Sequence, residues 1–212
     1  MILSKEQRHI AFALFVVALV TVSMLVWVAS ITKEPIAQAQ RATLHNNIKQ
    51  VLPEHSNDPV NDMFVYPLSE GKEVQVFPAK NKQGDVIAYA WEQIAPDGYS
   101  GTIRILMGVR LTGEVVAIRI TSHKETPGLG DGITKDTTWL SSFIDKTLNN
   151  TKWAVKKDGG DFDQFTGATI TPRAVVKAVR QGLLFYKNSQ ADLLKRVYAT
   201  AQAKSMTNEG AK

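Results

Sequence analysis

Two segments hold residue types whose spacing could do chemistry. One is Asp163-Gln164-Phe165-Thr166-Gly167-Ala168-Thr169, which runs into Ile170-Thr171-Pro172. Thr171 before Pro172 has the order of a helix N-cap and first helical residue. Val175, Val176, Val179 and Leu183 then fall on one face of the helix that follows. Thr166 to Thr169 therefore stand just ahead of a helix start, where unpaired amides and the positive end of the dipole favour an anion such as a phosphate. Gly167 and Ala168 leave room for a bulky group to approach the backbone. An ordinary capped loop would use the same residues, so the pattern permits an anion site without requiring one.

The other segment is His123-Lys124-Glu125-Thr126-Pro127-Gly128-Leu129-Gly130, with Gly132 close behind. Its glycines follow a Thr-Pro turn but lack the spacing of a dinucleotide fingerprint or a P-loop. It reads either as a flexible surface loop or as a loop whose bare backbone can lie against a planar ligand. His123 and Glu125 could form an acid–base pair, but on a loop of this composition they read as solvated side chains.

Other chemistries are excluded or unsupported. The chain has no cysteine, which removes disulfides, cysteine-ligated iron–sulfur clusters and CxxCH haem attachment. His9, His45, His55 and His123 are scattered without metal-ligand spacing, and no metal is expected. The net charge of +5 comes from dispersed lysines and arginines, a solvated basic surface rather than a nucleic-acid footprint.

The elements that must position these segments can be read from pattern. Val74–Phe77, Val86–Ile94, Ile103–Val109 and Val115–Ile120 are strand-like, with alternation clearest in the last two. Lys82-Gln83-Gly84-Asp85, Pro96-Asp97-Gly98 and Leu111-Thr112-Gly113-Glu114 carry hairpin chemistry, which predicts an antiparallel meander. Helices are expected from Thr137 to Lys146 and from Pro172 to about Asn188. Strands followed by helices give an α+β class, an antiparallel or mixed sheet with packed helices.

Ahead of this domain, Ile10 to Ile31 contains no charged residue. As a helix that run would reach roughly 33 Å and cross a bilayer core once. Ala37-Gln38-Ala39 has the form of a signal cleavage site, but signal apolar regions extend over only about 7–15 residues, so an uncleaved anchor is expected. Glu34-Pro35 is expected to break the helix, with a stalk or docking helix presenting Ile36, Leu44, Ile48 and Val51 on one face before Pro53 stops it. Residues 53–71 read as a turn-rich loop. Lys5 and Arg8 flank one side of the span, Lys33 and Arg41 the other, so positive-inside counting barely decides the orientation.

Thr-Gly-Ala-Thr at 166–169, with Asp163 three positions earlier, resembles the flavinylation motif of the FMN-binding domain family. The His-Lys-Glu-Thr-Pro-Gly-Leu-Gly segment resembles that family's second signature. Within the family the whole chain resembles the G subunits of Rnf (also Rsx) ion-translocating electron-transport complexes. The C subunits of sodium-pumping quinone reductases share the motif but are usually longer. The resemblance implies FMN joined through its phosphate to Thr169 by a dedicated flavin transferase that uses FAD. Thr166, Gly167 and Ala168 would complete the attachment motif, Asp163 would serve its recognition, and Glu125, Thr126, Gly128, Leu129 and Gly130 would meet the cofactor. Thr166 stands where relatives often have Ser.

The organisation expected is a cytoplasmic N-terminus (1–9), a transmembrane helix (10–31), a stalk helix and loop (32–71), a periplasmic FMN-binding domain (72–200) and a flexible tail (201–212), in the inner membrane of a bacterium. Such a subunit would relay electrons among other membrane subunits and alone would turn over no small substrate. The competing expectation is a membrane-anchored sensory or assembly module with Thr169 unmodified.

Overall fold

The computed structural model describes residues 5–68 and 71–209. The chain divides into two compact units, one ending at Leu44 and one beginning at His45. Helix α1 is continuous from Lys5 to Val51 and contains Pro35, so the break expected at Glu34-Pro35 does not occur. A proline inside a helix removes one backbone hydrogen bond and crowds the carbonyl four residues back, but the turns on either side keep theirs.

In the first unit the side chains of Ile10, Phe12, Leu14, Phe15, Leu19, Leu25 and Trp27 are exposed, with no protein packed over them. The hydroxyls of Thr21, Ser30 and Thr32 bond back to carbonyls of their own helix, so these polar groups are satisfied without water. The helix is long and apolar enough to cross a membrane.

The second unit is built on a five-stranded antiparallel sheet in the order β1-β2-β3-β4-β5: Phe64–Pro67, Glu73–Lys80, Val86–Gly98, Gly101–Arg110 and Val115–Ser122. This is the expected meander with one strand added. β1 lies inside the stretch expected to be loop, because a four-residue run ending in Pro67 is too short to show alternation against its turn-rich surroundings.

Each sheet face has its own cover. Helix α4, Ile170–Glu209, buries Val175, Val176, Val179, Leu183 and Tyr186 in the same core as Tyr89, Trp91, Ile105 and Met107. On the other face a row of mostly small residues runs across the strands, Phe77 opposite Ala90, Ala90 opposite Gly108 and Gly108 opposite Ala117. The end of α1 lies on this row. A Cβ placed on Gly108 would come within 1.7 Å of the Val51 carbonyl oxygen, and Arg119 Nε donates to Gln50 Oε1 at 2.8 Å. Leu106 and Gly108 are therefore buried along with Ile105 and Met107, and the alternation of β4 carries no exposed face at that point.

Between β5 and α4 lie two short α-helices, α2 (Gly132–Lys135) and α3 (Thr137–Ser141), and a 3-10 turn, Lys156–Asp158. The helix expected through Lys146 ends early, and the chain turns through Asp145 at φ 58°. Asp136 caps α3 by accepting from the Trp139 amide at 2.9 Å. Trp139, Phe143, Trp153, Phe162 and Phe165 pack ring on ring, with Phe143 stacked on Phe162 at 4.4 Å between centroids. α4 continues through Glu209, into the stretch expected to be a flexible tail. The first four residues of the expected cytoplasmic segment and residues 210–212 of that tail lie outside the described residues.

Candidate functional site

The aromatic cluster fixes the Asp163–Thr169 segment from below. Trp139 Nε1 donates to the Asp163 carbonyl at 2.8 Å, and the Phe165 ring lies 5.3 Å from that of Trp139. From Phe165 the chain makes a tight turn, closed by the Ala168 amide on the Phe165 carbonyl at 3.1 Å. Gly167 takes the third position at φ +78°, where a β-carbon would be strained. The other glycine loop is built the same way. The Leu129 amide donates to the Thr126 carbonyl at 3.2 Å, with Pro127 second and Gly128 third at φ +79°. The Gly128 amide donates to Asp131 Oδ1 at 2.7 Å.

The two turns meet. A Cβ on Gly167 would lie 3.4 Å from Leu129 Cδ2, and together the turns line a cavity of about 210 Å³. Its walls include Glu125, Thr126, Leu129, Gly130, Gly167, Ala168 and Thr169. Gly128 and Thr166 line instead a shallower depression on the other side of Leu129, shared with Asp131 and Lys135. Asp163 lines neither depression; its exposed carboxylate pairs with Lys156 Nζ at 2.7 Å.

Helix α4 begins two residues earlier than expected. Its first residue is Ile170, and the Thr169 carbonyl accepts from the Arg173 amide at 3.3 Å. Pro172 thus sits within the first turn, where its missing N–H is tolerated. The shift gives the three threonines different surroundings. Thr171 is fully buried, and its hydroxyl donates to Glu125 Oε2 at 2.5 Å. Thr166 is exposed on its turn. Thr169 is half-buried against the cavity, and among the described residues nothing bonds its hydroxyl or the amides of Ile170 and Thr171.

Glu125 departs most from expectation. It is not solvated but 4% exposed. Oε1 accepts from the Ser100 amide at 3.1 Å and Oε2 from Thr171, so one carboxyl joins the β3–β4 hairpin tip, the glycine loop and the first turn of α4. Gly130 is bare because a Cβ there would lie 2.8 Å from Glu125 Oε2, whereas at Gly98 a Cβ would first meet the Gly101 carbonyl oxygen at 2.2 Å and then Glu125 Oε1 at 2.9 Å. His123 Nδ1 accepts from the Glu125 amide at 3.1 Å, which orients the loop and makes no side-chain pair with Glu125.

Asp131, also buried, is held below the usual carboxylate range, chiefly by the ammonium of Lys135 and then by the Gly128 amide. Asp158 is held low by the Arg173 guanidinium, from which it accepts at 2.7 and 3.0 Å. Tyr99 and Ile170 carry no signal in the sequence, yet both line the cavity. With Leu129 they form a rim exposed at 70%, 46% and 48%. Tyr99 reaches it through the Gly98–Gly101 pairing at the hairpin tip, which residue spacing does not show.

Comparison with known proteins bears on this arrangement. Residues 98–184 match the FMN-binding domain, a range that starts at the hairpin tip and closes on α4. Residues 1–51 match the RnfG N-terminal region. The G subunit of the ion-translocating oxidoreductase complex of Aliivibrio fischeri (strain ATCC 700601 / ES114) is 41% identical over 91% of this chain and 95% of its own. The chain belongs to the family of G subunits of these complexes. The G subunit from Shewanella amazonensis is 42% identical over 84% of this chain and 87% of its own. That from Photorhabdus laumondii is 43% identical over 86% and 91%. A solved structure, Shewanella oneidensis NqrC, is 22% identical over 55% of this chain and 61% of that one, with a TM-score of 0.45, too distant to bear on the fold.

Of the expected site residues, then, seven share one cavity, while Gly128 and Thr166 line the neighbouring depression and Asp163 stands apart. Among the described residues no group of histidine and carboxylate side chains could hold a metal ion.

Proposed function

We propose that this subunit carries FMN covalently, as a phosphoester on the Thr169 hydroxyl, and relays electrons through it within an ion-translocating oxidoreductase complex. The observation that carries the reading is the contrast among the three threonines. Of these, Thr169 alone joins an unbonded hydroxyl, a place on the cavity wall and a position directly before the amides of a 40-residue helix. A phosphoester there would leave its charged oxygens facing free amides at the positive end of the dipole.

A cavity of about 210 Å³ is below the roughly 300–1,000 Å³ of pockets that enclose a drug-sized ligand. It suits part of a flavin, with the remainder against the apolar rim of Tyr99, Leu129 and Ile170. So open a seat gives little non-covalent affinity, and a covalent tether supplies the high local concentration that it lacks. When bound, FMN supplies one- and two-electron chemistry. The chain's own residues orient it: Thr169 anchors, the α4 amides hold the phosphate, and Gly130 lets the loop close over Glu125.

In this reading a flavin transferase loads the subunit, with Asp163 and Thr166 on the outer side of the turn as its recognition surface. The neighbouring membrane subunits exchange electrons with the flavin, and the complex couples that transfer to ion movement. α1 is a single span of the inner membrane, with the domain from His45 onward in the periplasm.

The test is co-expression of the full chain with a flavin transferase, followed by in-gel flavin fluorescence and peptide mass. The parent should retain fluorescence after denaturation, with the added mass on the peptide containing Thr169, and Thr169→Ala should lose both while keeping its helical and strand content. Flavin mapped to Thr166 or Thr171, or none in the parent, refutes the assignment.

A further inference from the structure

We propose that the buried carboxylate of Glu125 sets the reduction potential of a flavin held at Thr169, its negative charge keeping that potential lower than a neutral side chain would. The inference rests on the Thr169 reading and deepens it. Glu125 lines the cavity, and only 4% of it is exposed. Of the acidic residues buried among the described ones, Asp131 is answered by Lys135, whereas Glu125 makes no ion pair.

Its two oxygens face uncharged donors, the Ser100 amide and the Thr171 hydroxyl. The amide can only donate. Thr171 belongs to the first turn of α4, whose dipole favours an anion at that end. Both carboxylate oxygens accept from neutral donors, which satisfy them without cancelling the carboxylate's charge at a distance.

The cations on the surrounding segments do not compensate it. Lys177 Nζ is bonded to Asp97 beside the hairpin tip, Arg173 to Asp158 and Lys156 to Asp163. Lys124 adjoins Glu125 in sequence but is exposed and does not line the cavity, so water screens it. The field at the cavity is therefore weighted towards negative charge, and a phosphoester at Thr169 would add to it. Reduction that places negative charge on a flavin ring is disfavoured in such a field, more strongly than in water because Glu125 is buried.

The test uses the full chain co-expressed with its transferase and titrated spectroelectrochemically in detergent. Flavin content after denaturation is read first, so that a failure of the Thr169 reading, seen as no covalent flavin in the parent, is separate from a failure of this one. In loaded Glu125→Gln, which keeps shape and removes charge, the one-electron reduction equilibrium should move about tenfold towards the reduced form. That is a midpoint about 59 mV more positive. Glu125→Asp, which keeps the charge, should stay near the parent. If Glu125→Gln does not fold, Glu125→Met with Thr171→Val removes the charge together with the hydroxyl bonded to it, and the same positive shift is expected. A loaded charge-deleting variant with the parent's potential overturns the proposal. So does failure of both charge-deleting variants to fold while Glu125→Asp folds and loads, since Glu125 would then act through structure alone.

Discussion

Gly130 and Gly128 are two residues apart and bare for different reasons, so the same substitution should act differently on each. At Gly130 the backbone passes against Glu125 and Thr171, and an added Cβ would lie 2.8 Å from Glu125 Oε2 and 2.9 Å from the Thr171 hydroxyl. Gly130→Ala should cost about 1–3 kcal/mol through overpacking. At Gly128 a Cβ would meet nothing within 4 Å, but φ is +79°, so Gly128→Ala should cost about 1–2 kcal/mol of backbone strain. Gly128→Asn should recover part of that, because asparagine tolerates this region, whereas Gly130→Asn should be worse than Gly130→Ala. Thermal unfolding of the full-length variants in detergent checks both orders.

Asp131 shows its contribution through pH. Its carboxyl is held below the usual range by Lys135 and the Gly128 amide, so the folded state binds its proton less readily than the unfolded chain. The stabilisation is then complete above the ordinary aspartate value of about 3.9 and is lost as pH falls through the lowered folded value. Asp131→Asn should unfold at a lower temperature than the parent at neutral pH, and the difference should shrink as the pH drops below about 4. A difference that stays constant into acid would mean that the carboxylate charge contributes nothing.

At the scale of elements, what is legible in the sequence follows from range. The hairpins of the meander are local: Gly84 and Gly113 at positive φ close turns between strands that pair in sequence order, so turn chemistry with alternation is enough. The apolar face of α4 is visible by periodicity. The start of α4 is not, because Thr171-Pro172 has the order of a cap, while Thr171 is drawn inside by a carboxylate 46 positions earlier. Glu125 reads as solvated for the same reason, since both its donors lie on distant segments. Tyr99 carries no motif and reaches the rim only through strand pairing. A docking face at Ile48 and Val51 is visible by periodicity, but where it lands on the second sheet face is hidden, although Ala90, Gly108 and Ala117 are its trace, small residues placed where a backbone must come close. Gly108→Ala would bring a Cβ within 1.7 Å of the Val51 carbonyl oxygen and 2.7 Å of its carbon. Neither is the end of a flexible side chain, so a loss of about 3 kcal/mol is expected, the upper end of overpacking costs. Gly182→Ala meets Met107 Sδ at 2.3 Å instead, and because a thioether can swing aside, it should cost less.

On the scale of the whole molecule, function turns on which side of the membrane holds the flavin domain. α1 supplies one helix able to cross, and its flanks are nearly balanced, with Lys5 and Arg8 before the apolar run and Lys33 and Arg41 after it. Acidic residues count little in orientation, so Glu6 and Glu34 do not break the tie. In the proposed orientation the domain from His45 lies outward, where a cofactor lost by dissociation could not be readily replaced and the proposed tether on Thr169 would have its advantage. A C-terminal alkaline phosphatase fusion should therefore be active and a C-terminal green fluorescent protein fusion dark, with both in the membrane fraction. Because the balance is close, Lys5→Gln with Arg8→Gln should yield a mixed population, some chains now fluorescent. Replacing Lys33 and Arg41 by glutamine should leave the phosphatase signal unchanged or raise it. A bright fluorescent fusion of the parent would reverse the orientation, and phosphatase activity released into the soluble periplasm would mean that the apolar helix is cleaved after Ala39 rather than kept as an anchor.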